Sequence, residues 1–525
     1  MCCDVLGGAE PFRFSYLKDA KNAPKNLTFD YIIVGGGTAG CPLAATLSEK
    51  YNVLVLERGG SPYGNRNVER LGNFVVNLMD SSPTSPAQQF KSTDGVQNHR
   101  GRVLGGSSAI NAGFYSRAED LWVERVGLDK NLVEESYKWV EKAVVFEPQR
   151  LQWQTAMYKG LLEVGITPDN GFTLKHLKGT KTGGTIFNKQ NHRCTAADLI
   201  ASYANYEKIT VILFAIVHRI IFDKNDKGKP TAIGVMFKDS LGRIHTANIA
   251  PKGEIILSAG AIGSPQLMIL SGIGPKHQLD RLGLNVILEQ PMVGQNMSDN
   301  PMNAVAIPAN RDVEMSLVDT VGIVGDVGFI EGSSGGYLPG FEGIMPSLLP
   351  SAITKTPLFR GGVILEKIKE TMSMGWMEVK NTNADDTPEM TFNYFKEKAD
   401  LDKCVAGCKV ISRVIDSKAF TDFRLPMVTG NSVFTLNAKA TSGLTKIFKS
   451  FSYENFCRDT VKSIWHYHAG CEVDHVIDKD YKVIGVDNLR IVDGSTFRYS
   501  PGTNPQATVM MLGRYVGVKM LAERK

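Results

Sequence analysis

Three glycines at G-x-G-x-x-G spacing, Gly35, Gly37 and Gly40, constrain this chain more than any other feature, because an apolar run ends there and an amphipathic one begins. Phe29 to Val34 is β-branched and aromatic, Pro42 to Glu49 carries apolar residues at helical spacing, and Asn52 to Leu56 is a second apolar run. The order is strand, helix, strand. Glycines at that junction allow the tight turn, the close approach of a pyrophosphate and packing of helix on strand, with the helix N-terminus facing the phosphates. Glu57, at the end of the second strand, stands where an acidic side chain takes the two hydroxyls of an adenosine ribose. Glycine clusters also close ordinary turns, but the strand context and Glu57 favour a dinucleotide. The motif does not choose between FAD and NAD. NADP is disfavoured: Arg58 could pair with its 2′-phosphate, but Glu57 would repel it.

At 525 residues the chain exceeds one typical core, so two or three domains are expected. Hydrophobic content of 43% and charged content of 22% are those of a soluble globular protein. The net charge of +5 is spread out, with no basic stripe and interleaved aromatics, which argues against a nucleic-acid partner. The longest apolar run, Val211 to Val217, falls far short of the ~20 residues of a spanning helix. The opening MCCDVLGGAEPF has no basic region followed by an apolar one, so no leader is legible. Eight cysteines without C-x-x-C spacing suggest neither a disulfide scaffold nor a structural zinc site.

Residues 60 to 98 are rich in Ser, Pro, Gly and Asn, and read as a long excursion over the surface, functional or covering. In Arg100 to Arg117, the run Gly105-Gly106-Ser107-Ser108 offers consecutive N–H groups for an anion nest, and Asn111 adds an amide. An ordinary Gly/Ser turn remains the alternative there. Val211 to Phe222, Ala232 to Phe237, Thr246 to Ala250 and Glu254 to Ser258 read as successive strands, followed by a short helix within Gly260 to Gly274.

Towards the C-terminus, Ile464 to Cys471 holds His466 and His468 one residue apart. On an extended segment they face one side and share one pocket. Three readings compete: a metal site, which lacks a third ligand at known spacing; a structural pair; and a general base, since an imidazole with a pKa of ~6.5 accepts a proton near neutral pH. Pro505 and Gln506 open an apolar helix through Leu521, whose N-terminus would stabilise negative charge.

Gly35 to Glu57, Gly101 to Asn111, Gly260 to Gly274 and Ile464 to Met511 together resemble the glucose-methanol-choline (GMC) oxidoreductases. Val293 to Asn300 is similar to a further family element, with Asn300 where His is usual. The likeness is strongest to the plant branch of HOTHEAD-type proteins and almond-type R-mandelonitrile lyases. It implies an α/β fold: a doubly wound FAD-binding domain from residues 1–114, 185–302 and 461–525, and an α+β substrate domain with an antiparallel sheet from 115–184 and 303–460. It implies FAD contacts from Gly35, Gly37, Thr38, Ala39, Gly40, Glu57 and Arg58, and from Val103, Ser107, Asn111, Ala112, Gly113 and Phe114. Val217 is expected at the adenine, and Trp465, Asp493, Gly494, Pro505 and Gln506 around the rest of the cofactor.

By the same resemblance the base precedes a G-T-C-like triplet by a fixed interval, which places His466 there with His468 as second choice. Asn504 takes the family's His-or-Asn position opposite it. FAD-linked relatives have a histidine just before the position of Asn111; Ile110 stands there, which implies non-covalent FAD. Cys404 and Cys457 lie in segments similar to those joined by a disulfide in the almond-type lyases, which would imply a secretory route. The implied activity is oxidation of a long-chain or benzylic alcohol to the aldehyde by a monomer, with dioxygen or another electron acceptor. A hydroxynitrile lyase that cleaves a cyanohydrin without redox is the alternative, and a non-catalytic flavoprotein is a third. The apolar stretches Ser316 to Ile330 and Pro339 to Pro350 suit an acyl chain and an aromatic ring equally.

Overall fold

A computed structural model describes residues 10–224, 228–335, 361–442, 450–502 and 504–524. The apolar runs flanking the glycine motif become parallel neighbours, Asn26–Val34 beside Val53–Leu56, because residues buried on both faces need helices above and below. They sit within an eight-stranded sheet. Its order is Leu17–Asp19, Ile209–Leu213, Val53–Leu56, Asn26–Val34, Ile244–Leu257, Pro230–Lys238 and Ile216–Lys224, with Leu489–Ile491 paired onto Ile244–Leu257. Strands as far as Ile244–Leu257 run parallel, and the last two turn antiparallel. Helices Gly40–Leu47 and Gln506–Glu523 pack together, so the chain's two ends close on one core.

Two strand expectations shift. Val211 to Phe222 breaks into Ile209–Leu213 and Ile216–Lys224, because Phe214 takes φ +59°. Thr246 to Ala250 and Glu254 to Ser258 merge into Ile244–Leu257, bent where the register slips between Ile249 and Glu254.

The second sheet is mostly antiparallel and seven-stranded: Lys462–Ser463, Pro301–Pro308, Gly361–Ile368, Gly328–Ser334, Thr320–Val324, Gly179–Thr182 and Asp169–Phe172. Helices Gln152–Glu163, Lys398–Asp416, Gly430–Ser442 and Tyr453–Thr460 cover one face, with Trp153, Ile411, Phe420 and Phe456 in their core. Cys404 and Cys457 form a disulfide between two of these helices, and the free Cys408 sulfur lies 3.9 Å from that of Cys457. The other face looks onto a cavity.

Residues 60 to 98 depart from the irregular excursion expected of them. They form helices Arg66–Glu69 and Phe74–Met79 and the strand pair Ala87–Lys91 and Gln97–Gly101. Phe74, Val75 and Leu78 bury against Val103 and Ile110, so the segment walls the cavity. Among the described residues no helix is long and apolar enough to cross a membrane. Pro339 to Pro350 lies outside the described residues.

Candidate active site

One cavity of about 610 Å³ runs between the two sheets, within the range of small-molecule sites. At one end Glu57, buried at the close of its strand, accepts N–H bonds from Gly36 at 3.0 Å and Gly59 at 2.8 Å. Each carboxylate oxygen keeps a lone pair for a further donor. Burial pushes the Glu57 carboxyl up, offset by the Gly59 N–H and the Arg58 charge. Arg58 lines the same wall but reaches Asp385 at 3.3 Å and the Gly101 carbonyl at 3.2 Å. Val217 lines the wall opposite.

Next along, Gly35, Gly37, Thr38 and Ala39 lead into helix Gly40–Leu47 and face Gly106 and Ser107. Gly106 has φ +59°, and a Cβ there would lie 2.7 Å from the Gly37 Cα, so the two glycine loops touch through bare backbone. Two residues expected at the cofactor do not line the cavity. Gly40 lies beneath the loop, where a Cβ would meet the Gly35 carbonyl at 2.1 Å, consistent with packing of helix on strand. Val103 turns into the cluster with Phe74 and Ile110, and its carbonyl accepts from Gly106 N–H, which shapes the turn.

Asp493 and Gly494 face the middle of the cavity. The Asp493 carboxylate is engaged by the Gly260 and Ser495 N–H groups and the Ser264 hydroxyl, which ties helix Gly260–Leu270 to this turn. Ala112, Gly113 and Phe114 follow. Asn111 donates to Gln506 Oε1 at 2.9 Å and accepts from Gly113 N–H and Arg193, while Gln506 donates to the Phe114 carbonyl. Pro505 and Gln506 bring the N-terminal end of the last helix to this wall.

Trp465, His466 and Asn504 close the far end. The backbone N–H of His466 donates to Asp299 Oδ1 at 3.0 Å, and Asp299 is itself held by the Tyr394 and Ser463 hydroxyls. The His466 Nδ1 is buried and has no protein partner. Burial first, then the charges of Lys367 and His468, hold the imidazole well below the ordinary histidine range. It is a neutral ring facing a cavity.

The expectation that His468 shares this pocket is not met. His468 is buried elsewhere, its Nδ1 3.0 Å from the His466 carbonyl and its main chain paired with Ser298. The His466 N–H is anchored on Asp299 while the His468 main chain pairs with Ser298, and the chain turns on either side, with Trp465 at φ +61° and Ala469 at φ +71°.

A carboxylate at the end of the second strand, two glycine loops in contact and a neutral histidine at the far end fit FAD. The family pattern for GMC oxidoreductases matches residues 29–302 with its N-terminal part and 371–513 with its C-terminal part. The chain belongs to the GMC oxidoreductase family. Its cofactor is FAD, and it is an FAD-dependent enzyme. It is 46% identical to Protein HOTHEAD of Arabidopsis thaliana over 98% of this chain and 93% of that protein. It is 41% identical to (R)-mandelonitrile lyase 1 of Prunus serotina, covering 97% and 90%, and 40% identical to sinalpyl alcohol oxidase Nec3 of Nesocodon mauritianus, covering 98% and 93%. Among solved structures, formate oxidase of Aspergillus oryzae superposes with a TM-score of 0.78 at 18% identity, over 96% of this chain and 99% of that one. That likeness speaks for the fold alone.

In this GMC oxidoreductase, sequence reading missed two residues beside the far end. Lys367 Nζ lies 2.8 Å from Asn504 Oδ1 and 3.0 Å from Glu331 Oε1, and the lysine and glutamate side chains are 1% and 0% exposed. The signal was present in GGVILEKI, where two charges interrupt an apolar strand. Alternation sends Glu366 to the helix side and Lys367 towards the cavity side, but sequence alone does not say which side is which.

Proposed function

We propose that this GMC oxidoreductase oxidises an apolar alcohol, long-chain or benzylic, to its aldehyde, with His466 removing the hydroxyl proton and Asn504 hydrogen-bonding the substrate oxygen. FAD, when bound, accepts the hydride. The observation that carries this reading is the half-buried, neutral His466 ring, whose buried Nδ1 is free of protein partners, lining the same cavity as Asn504. A base must be unprotonated to act, and this one is held so. Met302, Ala304, Leu317, Val318, Val363 and Leu365 line the adjoining wall and favour an apolar substituent on the carbinol carbon. FAD is held without a covalent bond, since Ile110 has no nucleophilic atom. We assign the first sheet's segments, 1–114, 185–302 and 461–525, to the FAD-binding domain and the remainder to the substrate domain.

Cyanohydrin cleavage is the second reading, favoured by the mandelonitrile lyase among the relatives. It uses the same proton removal. Anaerobic mixing with long-chain alcohols, benzylic alcohols and mandelonitrile separates the two: bleaching of the flavin absorbance supports oxidation, and benzaldehyde release without bleaching supports the lyase. His466→Ala is expected to keep FAD and lose ~10²–10⁴-fold in flavin reduction, the range of a positioned general base. Reduction at the wild-type rate would sink the assignment.

A further inference from the structure

We infer that Lys367 is a positioning residue that locks the Asn504 amide with its NH₂ group turned to the substrate, so that the site presents a fixed donor to the reacting oxygen. This positioning role rests on the alcohol-oxidation reading above. An ammonium group donates and never accepts, so the atom of Asn504 that meets Lys367 Nζ at 2.8 Å must be the carbonyl oxygen. A free asparagine could present either end of its amide to a ligand, and this one cannot. Its Nδ2 is left for the other side, and Asn504 lines the cavity.

The lysine is itself held. Glu331 Oε1 lies 3.0 Å from Nζ, and the Phe329 ring lies 4.6 Å from the same atom, on the strand paired with that of Lys367. Burial lowers the Lys367 pKa and the Glu331 carboxylate opposes that. A buried ion pair is costly to build and adds little stability by itself. Fixing the orientation of one amide in the active site gives this one a purpose.

The consequence for the reaction is directional. A substrate oxygen that accepts from Asn504 Nδ2 has its own hydroxyl proton left to point elsewhere, and the neutral His466 ring is the acceptor in the same cavity. As the proton passes to His466, negative charge grows on the oxygen, and the amide N–H bond to it strengthens. Rotation of the amide by half a turn would set oxygen against oxygen and reverse that effect.

Removing either partner alone would strand a buried charge, so the test uses Glu331→Gln/Lys367→Met at pH 8, where His466 is unprotonated in every variant. With FAD content and melting temperature close to wild type, the double variant is expected to reduce its flavin ~10–10²-fold more slowly at saturating benzyl alcohol, with the alcohol's dissociation constant within ~3-fold of wild type. Adding Asn504→Ala should bring the rate to that of Asn504→Ala alone and no lower, because the lysine acts through the asparagine. Wild-type rates in the double variant, or losses that multiply with Asn504→Ala, would each overturn the proposal. If the double variant does not hold FAD, Asn504→Asp decides the matter. It keeps the Lys367 anchor but has no donor to offer, so it should be as slow as Asn504→Ala, and a rate near wild type would overturn the proposal. His466→Ala at the wild-type rate would instead overturn the alcohol-oxidation reading, whatever the Lys367 variants do.

Discussion

His466 illustrates how much of an active site lives in a single residue's surroundings. A histidine in water titrates at ~6.5. Here burial, the Lys367 charge and His468 all disfavour the imidazolium, and the Asp299 carboxylate beneath is spent on the backbone N–H rather than on the ring. Asp299 is itself pushed up to about 6 by burial. The sign is clear: a depressed pKa keeps the base form present to lower pH. The rate of anaerobic flavin reduction is therefore expected to stay level as pH falls from 8 through ~6.5, and to drop only on the acid side of that value. A stopped-flow profile with its inflection at or above ~6.5 would contradict this. Glu57 belongs to the same scale. Its place was legible because an acidic residue closing the second strand of a dinucleotide unit has one standard use, whereas Asn504's orientation was not legible, because its partner lies far away in sequence.

Among the elements, helices Lys398–Asp416 and Tyr453–Thr460 carry the clearest test. The first presents Cys404 and Cys408 one helical turn apart, and the second presents Cys457 between them. The three sulfurs lie within 4.8 Å of one another, and Cys404 and Cys457 form the bond. Burial holds the Cys408 thiol well above its ordinary range, so it does not compete for the bridge in the folded wild-type protein. In Cys404→Ser that competition disappears. Non-reducing peptide mapping of Cys404→Ser refolded in air should find Cys408 joined to Cys457, whereas Cys404→Ser/Cys408→Ser should have a free Cys457 and a lower melting temperature. The bridge spans 53 residues, for which loop closure alone gives about 4 kcal/mol as an upper figure. Two free thiols in Cys404→Ser would show that the helices do not bring Cys408 into bonding geometry.

Over the whole molecule, FAD is expected to act as a structural member. The cavity wall draws on residues from Val34 to Val509, so no single stretch of chain builds the site. A ligand that binds only the folded state stabilises it in proportion to its affinity, so removing FAD should lower the melting temperature by several degrees. Glu57→Ala should purify with less flavin and melt nearer the stripped protein. Denaturing the wild-type protein should release all of its flavin, as expected with Ile110 where linked relatives have a histidine. Flavin that stays with the precipitated chain would refute the non-covalent assignment.

The glycine spacing, the apolar runs around it and the proline-led last helix determined the dinucleotide unit by themselves, because each depends on residues a few positions apart, where steric limits and periodicity act directly. Tertiary structure decided the rest. It turned residues 60 to 98 from a surface excursion into a cavity wall, because Phe74, Val75 and Leu78 needed partners more than 20 residues onward. It separated His466 from His468, because the first has its N–H on Asp299 and the second its main chain on Ser298, partners far away in sequence. It also chose the face of Gly361–Ile368 that meets the cavity, and with it the side chain that holds Asn504. Alternation along a strand divides its residues into two sets, and only the packing of distant segments against each set says which one meets the substrate.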